Sequence, residues 1–580
     1  MCGIVGYVGR RTAAPLLVEG LRKLEYRGYD SYGVATLHRS VSVLKKSGRI
    51  PPRADLGKGM KGKIGIGHTR WATHGEPSDR NAHPHTDCTG RIAIVHNGII
   101  ENYAGLRQEL EGRGHRFRSD TDTEVIAHLV EEAFRPGKLQ EAVEQALRRL
   151  EGSYALLVIA QDEPGIVAAR KSSPLVLGLG DGETLAASDM TPLLEYTERV
   201  IFLEDGDVAT LREGGVAICS NGTAVQRPVE QVTWCLDDVK KGGFPHFMLK
   251  EIHEQPQVFY ETARSVDARE MAAQVRSSPW VTLIGCGTSY HAGMVAKYLL
   301  EAHAGIPVRV EMGSEFKYFA PPVRGLVVGI TQSGETADTL TALQKARSYN
   351  CLTAAVTNVV GSSVTRLADH VLYTRAGPEI GVAATKSFIA QLAVFLQLAS
   401  RLSDGALDGA ISTAHLAIGD ALRTELDAAV SLCTGARDIF FVGRGPFYPV
   451  ALEGALKMKE ISYIHAEGYP AGELKHGPFA LLTPETPVVA IALPGPTYGA
   501  MISNIKEIKA RQAPVIGIGN ADDQGLAEVV DVFLPLPDGP ETVHLLTATV
   551  ILQRLAYHTA DSLSRDIDRP RNLAKSVTVE

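Results

Sequence analysis

Three short apolar runs in the C-terminal part of the chain each occur twice, in the same order. Val281-Thr282-Leu283-Ile284-Gly285-Cys286-Gly287 is answered by Ile439-Phe440-Phe441-Val442-Gly443-Arg444-Gly445. Val327-Val328-Gly329-Ile330 is answered by Val488-Val489-Ala490-Ile491, and Ala354-Ala355-Val356-Thr357-Asn358 by Ile516-Gly517-Ile518-Gly519-Asn520. The separations, 158, 161 and 162 residues, are so alike that two copies of one unit are expected. Apolar strand runs alternate here with long amphipathic stretches, the pattern of a parallel sheet covered by helices. Two α/β units are therefore expected, at 245–425 and 426–570, with a short tail at 571–580.

The first part has a different texture. Short β-like runs such as Ile64-Gly65-Ile66-Gly67, Ile92-Ala93-Ile94-Val95 and Ala155-Leu156-Leu157-Val158-Ile159 are separated by turn residues. Helical stretches are few, Thr123 to Phe134 among them. That density of strands predicts packed antiparallel sheets over 1–220. A polar stretch containing Ser220-Asn221-Gly222 and Asp237 to Gly243 is expected to link the two parts at 221–244.

Composition excludes several classes of function. Net charge is −7 and no basic run is long enough for a nucleic-acid face. The seven cysteines are odd in number and contain no Cys-x-x-Cys pair, which favours a reducing compartment. Arg10, Arg11 and Glu19 interrupt the apolar residues at the N-terminus, and no run is long enough to span a membrane. A cytoplasmic protein without membrane or nucleic-acid partners is expected. His83, His85 and Cys88 have a spacing that permits a metal, but they lie in a Pro-rich loop without a matching second half, so no metal site is expected.

Cys2 is the residue with the most chemical potential. If Met1 is removed, one residue carries both a thiol and an α-amine, whose reference pKa of about 7.7–8.0 makes it a usable base near neutral pH. Three clusters supply what thiol attack on an amide needs. Gly67 to Gly75 places Arg70 after a strand, able to hold a carboxylate bidentately, with Thr73 and His74 to complete the grip. Asn97-Gly98 ends another run and offers an amide and a glycine N–H to an oxyanion. Asp122, in Ser119-Asp120-Thr121-Asp122-Thr123-Glu124, can pair with an ammonium. Each cluster has a plainer reading: Asn97-Gly98 is also a hairpin turn, and the Asp-Thr run is also a helix N-cap. Together they fit an α-amino acid with a side-chain amide, namely glutamine.

On these residues the N-terminal part resembles a class II glutamine amidotransferase domain, an α+β N-terminal-nucleophile sandwich. The whole chain resembles the family of isomerising glutamine–fructose-6-phosphate aminotransferases. The resemblance runs through Met1 to Gly6, Leu24 to Ser31, His68 to Gly75, His96-Asn97-Gly98 and Ser119 to Glu124. Beyond these it covers Cys286-Gly287-Thr288-Ser289, Thr331 to Thr336, Glu473 to Pro478 and Arg569 to Glu580. It implies two sugar isomerase domains with parallel sheets, and synthesis of glucosamine 6-phosphate from glutamine and fructose 6-phosphate, the first step toward UDP-N-acetylglucosamine.

The resemblance also implies roles. Thr288, Ser289, Thr331, Gln332, Ser333 and Thr336 would hold the sugar phosphate, and hydroxyls and amides at helix N-termini do make an anion cradle. Ala574 would line the sugar site. Glu460 would move the proton between C1 and C2, with Lys457 three residues away on one helix face. By composition alone that Lys–Glu pair reads as a surface salt bridge. His476 would be the ring-opening acid/base, Lys575 the Schiff-base lysine and Trp71 the gate of an ammonia channel. The tail Ser576 to Glu580 would close over the sugar. Neither Walker A nor Gly-x-Gly-x-x-Gly follows the strand runs, so no nucleotide cofactor is expected, and the family pattern implies a homodimer and no cofactor of any kind.

Overall fold

The computed structural model describes residues 2–57, 59–71, 75–232, 240–319 and 324–578. Two compact units emerge, Met1–Val239 with Ser576–Glu580, and Lys240–Lys575.

The first unit is built on two antiparallel sheets. One has eight strands in the order Glu230–Gln231, Arg199–Phe202, Val176–Leu179, Thr184–Ala187, Gly3–Val8, Ile64–Arg70, Ser31–Leu37, Val41–Ser47. The other has seven, with Asp207–Arg212, Ile166–Lys171, Gly152–Ala160 and Ile92–Ile100 at its centre. Strand periodicity decides the layering. In Ile92–Ile100, Ala93 and Val95 join Ile4, Val8, Ile66, Leu157 and Ile159 in the core between the sheets. Ile92 and Ile94 point the other way, into a core made with the helices Glu124–Ala133 and Leu139–Leu147. The helix Ala13–Arg22 covers the opposite face, where Leu17 and Leu21 lie over Gly65 and Gly67. The sandwich expected from sequence is present, with helices on both outer faces.

Part of the segment 221–244, expected to be a linker, belongs instead to this sandwich: Thr223–Val225 and Glu230–Gln231 are edge strands. Asn221 and Gly222 both have positive φ (50° and 79°), and Ser220 pairs with Thr223. That is a tight hairpin turn rather than a chain exit.

The second unit contains two parallel five-stranded sheets. Their orders are Val308–Met312, Val281–Gly285, Leu326–Thr331, Leu352–Thr357, His370–Tyr373 and His465–Pro470, Asp438–Gly443, Val488–Ile491, Val515–Asn520, Val532–Leu536. Each of the three repeated runs occupies the same position in both sheets, so the repeat is a structural one. The turn after the first strand repeats too. Gly287 and Gly445 have φ of 53° and 54°. A Cβ on Gly285 would lie 2.8 Å from Ser289 C, and one on Gly443 would lie 2.3 Å from Phe447 O. Only glycine lets the helix start that close to the strand end.

One apolar core runs through the second unit, uniting Leu283 and Val328 of one sheet with Phe441 and Ile516 of the other. At its centre lie the helices Lys386–Leu402 and Glu541–Ser562, buried on nearly every face. Such all-round burial belongs to the interior of a large unit. Among the described residues no helix is long and apolar enough to cross a membrane. The helix Phe447–Ser462 packs on Glu541–Ser562 through Gly454, where an added Cβ would meet Leu552 Cδ1 at 2.8 Å and Phe441 Cδ1 at 3.1 Å. Gly454→Val is expected to destabilise the second unit by about 1–3 kcal/mol through overpacking. Chemical denaturation checks this, and an unchanged midpoint would show that the contact is slack.

Candidate active sites

In the first unit, Cys2 sits at the start of the strand Gly3–Val8, between neighbours that bring three of the sequence clusters to it. Trp71 N donates to Cys2 Sγ at 3.2 Å, and the sulfur lies 3.5 Å from Trp71 O. Asn97 Nδ2 donates to Cys2 O at 2.9 Å. Burial pushes the Cys2 thiol up, while the positive charge of Arg70 partly offsets it. A neutral thiol of this kind needs a base before it can attack. Arg70 is 3% exposed and feels Cys2 and Asp122. Its guanidinium donates to Gly75 O at 3.0 Å.

The plainer readings of two clusters do not hold. Asn97-Gly98 is not a turn but lies inside the strand Ile92–Ile100, opposite Ala155 and Tyr154. Gly98 has φ of 135°, and a Cβ there would lie 2.1 Å from Ser153 O. Asp122 is not capping the helix Glu124–Ala133, since its carboxylate accepts from Ile100 N at 2.8 Å. Thr73 and His74 lie outside the described residues.

Behind this site is a layer of buried imidazoles. His68 and His83 stack with centroids 4.1 Å apart, and His83 meets His85 edge-on at 4.5 Å. His68 Nε2 bridges His96 O (3.0 Å) and Asn97 Oδ1 (3.1 Å), which orients the Asn97 amide toward Cys2. Thr123 Oγ1 lies 2.9 Å from both His83 Nε2 and His96 Nδ1, and Thr121 Oγ1 lies 3.1 Å from His85 Nε2. The hydroxyls of the Asp122 loop are thus engaged by imidazoles. The His83–His85–Cys88 grouping is not formed: Cys88 lies instead against His115 and His128.

In the second unit the buried centre is Lys457. It is fully enclosed, with Nζ 2.6 Å from Glu460 Oε2, 3.4 Å from Glu453 Oε1 and 3.1 Å from Thr288 Oγ1. The surface reading of this pair is therefore wrong. Burial alone would lower the lysine, but the two carboxylates outweigh it and hold the ammonium charged. Thr288 in turn donates to Glu453 at 3.0 Å, and His291 Nδ1 lies 2.8 Å from the same carboxylate. Ser289 Oγ accepts from Gln391 at 3.0 Å.

Lys575 Nζ donates to Glu379 Oε2 at 2.5 Å and to Gly381 O at 2.8 Å. Burial would raise Glu379, yet Lys575 and the amides of Thr385 and Ser387 pull it down to about 2. Glu251, buried beside it, is pushed up to about 7 by burial and by the Glu379 charge. Ala574, next to Lys575 in sequence, is half-buried.

Thr331 to Thr336 leave the strand Leu326–Thr331, which neighbours Val281–Gly285. The chain turns to opposite sides after these two strands, so Thr288 and the 331–336 loop stand at the switch point of the sheet, where open α/β sheets bind ligands. Thr331 and Thr336 share a hydroxyl contact at 3.0 Å, and Ser333 Oγ accepts from Glu335 N at 3.2 Å. Gln332 is held through its carbonyl, which accepts from Asn358 N at 3.1 Å. His476 is exposed at the end of the 3-10 helix Ala471–His476, with no side-chain hydrogen bond among the described residues.

Sequence reasoning missed Glu453, Glu379, Glu251 and His291. Glu453 had a local signal, four residues before Lys457 on one helix face. The other three come from separate elements and had none.

Comparisons with known proteins identify the domains of both units. Residues 68–195 match the glutamine amidotransferase domain, and residues 275–401 and 433–560 match the SIS domain twice. The C-terminal domain of glucosamine-fructose-6-phosphate aminotransferase from Francisella tularensis superposes with a TM-score of 0.52 at 36% identity, covering 57% of this chain and 99% of that one. The class is thus a glutamine amidotransferase joined to a pair of SIS domains. Relatives named glutamine–fructose-6-phosphate aminotransferase [isomerizing] are 48% identical in Methanosarcina acetivorans and 50% identical in Symbiobacterium thermophilum, over the whole of both chains in each case. The chain belongs to the family of isomerising glutamine–fructose-6-phosphate aminotransferases.

The imidazole layer makes acid stability testable. Burial holds His68 at about 3, against about 6.5 when unfolded. Between those values the unfolded chain binds the extra proton. Stability is therefore fully present above pH 6.5 and falls as pH drops toward 3, by about 1.4 kcal/mol per pH unit for this residue. Denaturant titrations at pH 7 and pH 5 should show the loss. His68→Gln should take up about one proton fewer on acid unfolding, and an unchanged pH slope would place His68 outside the neutral layer.

Proposed function

We propose that the chain makes glucosamine 6-phosphate from glutamine and fructose 6-phosphate, using Cys2 in one unit and Lys575 with Glu460 in the other. The observation that carries this reading is the enclosed lysine–carboxylate cluster beside the switch point, which a glutaminase alone would not need.

Once Met1 is removed, the free α-amine takes the Cys2 thiol proton while Sγ attacks Cδ of glutamine. Arg70 grips the α-carboxylate, with Thr73 and His74, and Asp122 pairs with the ammonium. Asn97 Nδ2 and the Gly98 N–H donate to the oxyanion. Collapse expels ammonia and leaves a thioester, which water hydrolyses to glutamate. Trp71, already at the sulfur through its backbone, gates the path of the ammonia.

In the second unit, Thr288, Ser289, Thr331, Gln332, Ser333 and Thr336 hold the sugar phosphate, with Ala574 against the sugar. His476 opens the ring. Lys575, after passing its proton to a neighbouring carboxylate, adds to the C2 carbonyl and expels water to form an imine. Ammonia adds at C2 and displaces Lys575. Glu460 then takes a proton from C1 and returns it at C2, while the O1 hydroxyl proton is given up and the imine nitrogen gains one, leaving an aldehyde at C1 and an amine at C2; Lys457 holds the Glu460 carboxylate in place. Ring closure gives glucosamine 6-phosphate.

A cytoplasmic homodimer belongs to the same proposal. The free state of Cys2, Cys88, Cys219, Cys286, Cys351 and Cys433 supports a reducing compartment.

Two variants test the division of labour. Cys2→Ala should lose glutamine-dependent synthesis by at least about 10³-fold and keep isomerisation of the phosphosugar. Lys575→Ala should lose synthesis and keep glutamine hydrolysis. Product measured from glutamine and fructose 6-phosphate, with mass spectrometry confirming loss of Met1, checks both. Loss of both activities in the Cys2 variant would refute the two-site scheme.

A further inference from the structure

Apart from the nucleophile site, the first unit gathers a second cluster. Cys88 follows the strand His85–Thr86, His115 lies beyond the helix Tyr103–Gly112, and His128 and Glu131 are three apart on one face of Glu124–Ala133. Their donor atoms all lie within 4.8 Å of one another. We propose that Cys88 Sγ, His115 Nδ1, His128 Nδ1 and a Glu131 carboxylate oxygen form a closed tetrahedral site for one zinc ion, which braces the loop that carries Asp122.

Four of the six ligand-to-ligand distances lie near those of a four-coordinate shell. Bonds of about 2.3 Å to sulfur and about 2.0–2.2 Å to nitrogen or oxygen give tetrahedral edges of about 3.3–3.6 Å. Cys88 Sγ lies 3.6 Å from His115 Nδ1 and 3.6 Å from His128 Nδ1. Glu131 Oε2 lies 3.0 Å and 3.1 Å from the same two nitrogens. A small outward movement of the carboxylate would bring its two short contacts to tetrahedral length.

The surroundings fit a bound cation. With both Nδ1 lone pairs on zinc, each imidazole carries its proton on Nε2. Carboxylates stand on that side of both rings, Glu132 Oε1 at 3.5 Å from His115 Nε2 and Glu124 Oε1 at 3.8 Å from His128 Nε2. His128 is fully buried and its Nε2 has no hydrogen bond among the described residues. Shortened to hydrogen bonds, these contacts would make the carboxylate–histidine–metal relays that orient ligand rings. Arg116 N donates to Cys88 Sγ at 3.4 Å, as amides do to a bound thiolate. Binding exchanges the thiol proton, released to water, for the metal. One thiolate, one carboxylate and two neutral imidazoles then balance a 2+ ion. A thiolate with two imidazoles selects zinc over calcium or magnesium, and four protein ligands leave no open position, so the role is structural.

The placement has a consequence that rests on the function proposed above. His115 and His128 bracket Asp122 in sequence, and between them Glu124 accepts from Arg118 N and Ser119 N at 2.7 Å each. Loss of zinc should therefore loosen the glutamine grip and leave the sugar site alone.

The test uses the full chain. After expression in zinc-supplemented medium and desalting, elemental analysis should find one zinc per chain. Stripped protein should take up one equivalent of Zn2+ or Co2+, and the Co2+ form should show thiolate charge-transfer and tetrahedral d–d absorption. Cys2→Ala should keep that spectrum and Cys88→Ser should lose it, which assigns the thiolate to Cys88. Cys88→Ser and His128→Ala should lose more zinc affinity than the roughly 10–100-fold that outer-shell changes cause. Chelation should raise KM for glutamine without changing phosphosugar isomerisation. The proposal is overturned if stripped protein binds Zn2+ no more tightly than Cys88→Ser, if the Co2+ form lacks the thiolate band, or if another metal is recovered in place of zinc. The metal-binding and spectroscopic readouts need no activity, so failure of the proposed reaction and failure of the site remain distinguishable.

Discussion

The second unit is organised around one ammonium that has left water. Lys457 is fully enclosed, and a charge in that position is tolerable only because Glu453 and Glu460 face it from the same helix and Thr288 reaches it from another. The carboxylates sit one turn to either side of the lysine, so a single helix supplies the whole compensation. Thr288 ties this helix to the turn after the first strand of the other sheet. The ion cluster therefore fixes where the two halves of the repeat meet, and it places Thr288 at the switch point where a ligand is expected. Removing the lysine would leave Glu453 and Glu460 facing one another without their counter-charge.

The first unit solves a different problem with neutral groups. His68, His83, His85 and His96 are all buried, and burial keeps them below their usual titration range. Uncharged rings can stack and offer hydrogen bonds without the cost of burying cations. They connect the Asn97 amide to the hydroxyls around Asp122, so the groups facing Cys2 share one rigid backing. The glycine at 98 serves the same end: its positive φ lets the strand continue at the point where the amide must turn toward the cysteine. The proposed zinc site would close the other side of the Asp122 loop.

Fold class was legible because it depends on periodicity. The three repeated strand runs marked equivalent places in two parallel sheets, and the short alternating runs before them marked a sandwich. Where sequence reading failed, a local pattern had two physical meanings. Ser220-Asn221-Gly222 reads as a flexible exit or as a hairpin turn, and pairing with Thr223 made it the turn. Asn97-Gly98 reads as a turn too, and register with Ala155 and Tyr154 made it strand. Lys457 and Glu460 read as a solvated pair until packing enclosed them.

The sequence by itself determined the architecture, the presence of Cys2, Arg70 and Asp122 as a set, and membership of a family through motifs near both ends. Those follow from order and spacing along one chain. Only the tertiary structure decided which groups meet: Glu379 with Lys575 and Glu453 with Lys457 in a low-dielectric interior, and Cys88 with His115, His128 and Glu131, partly buried, rather than with His83 and His85. Such pairings depend on distance in space between separate elements, and burial then turns a weak surface attraction into a constraint that the fold must satisfy.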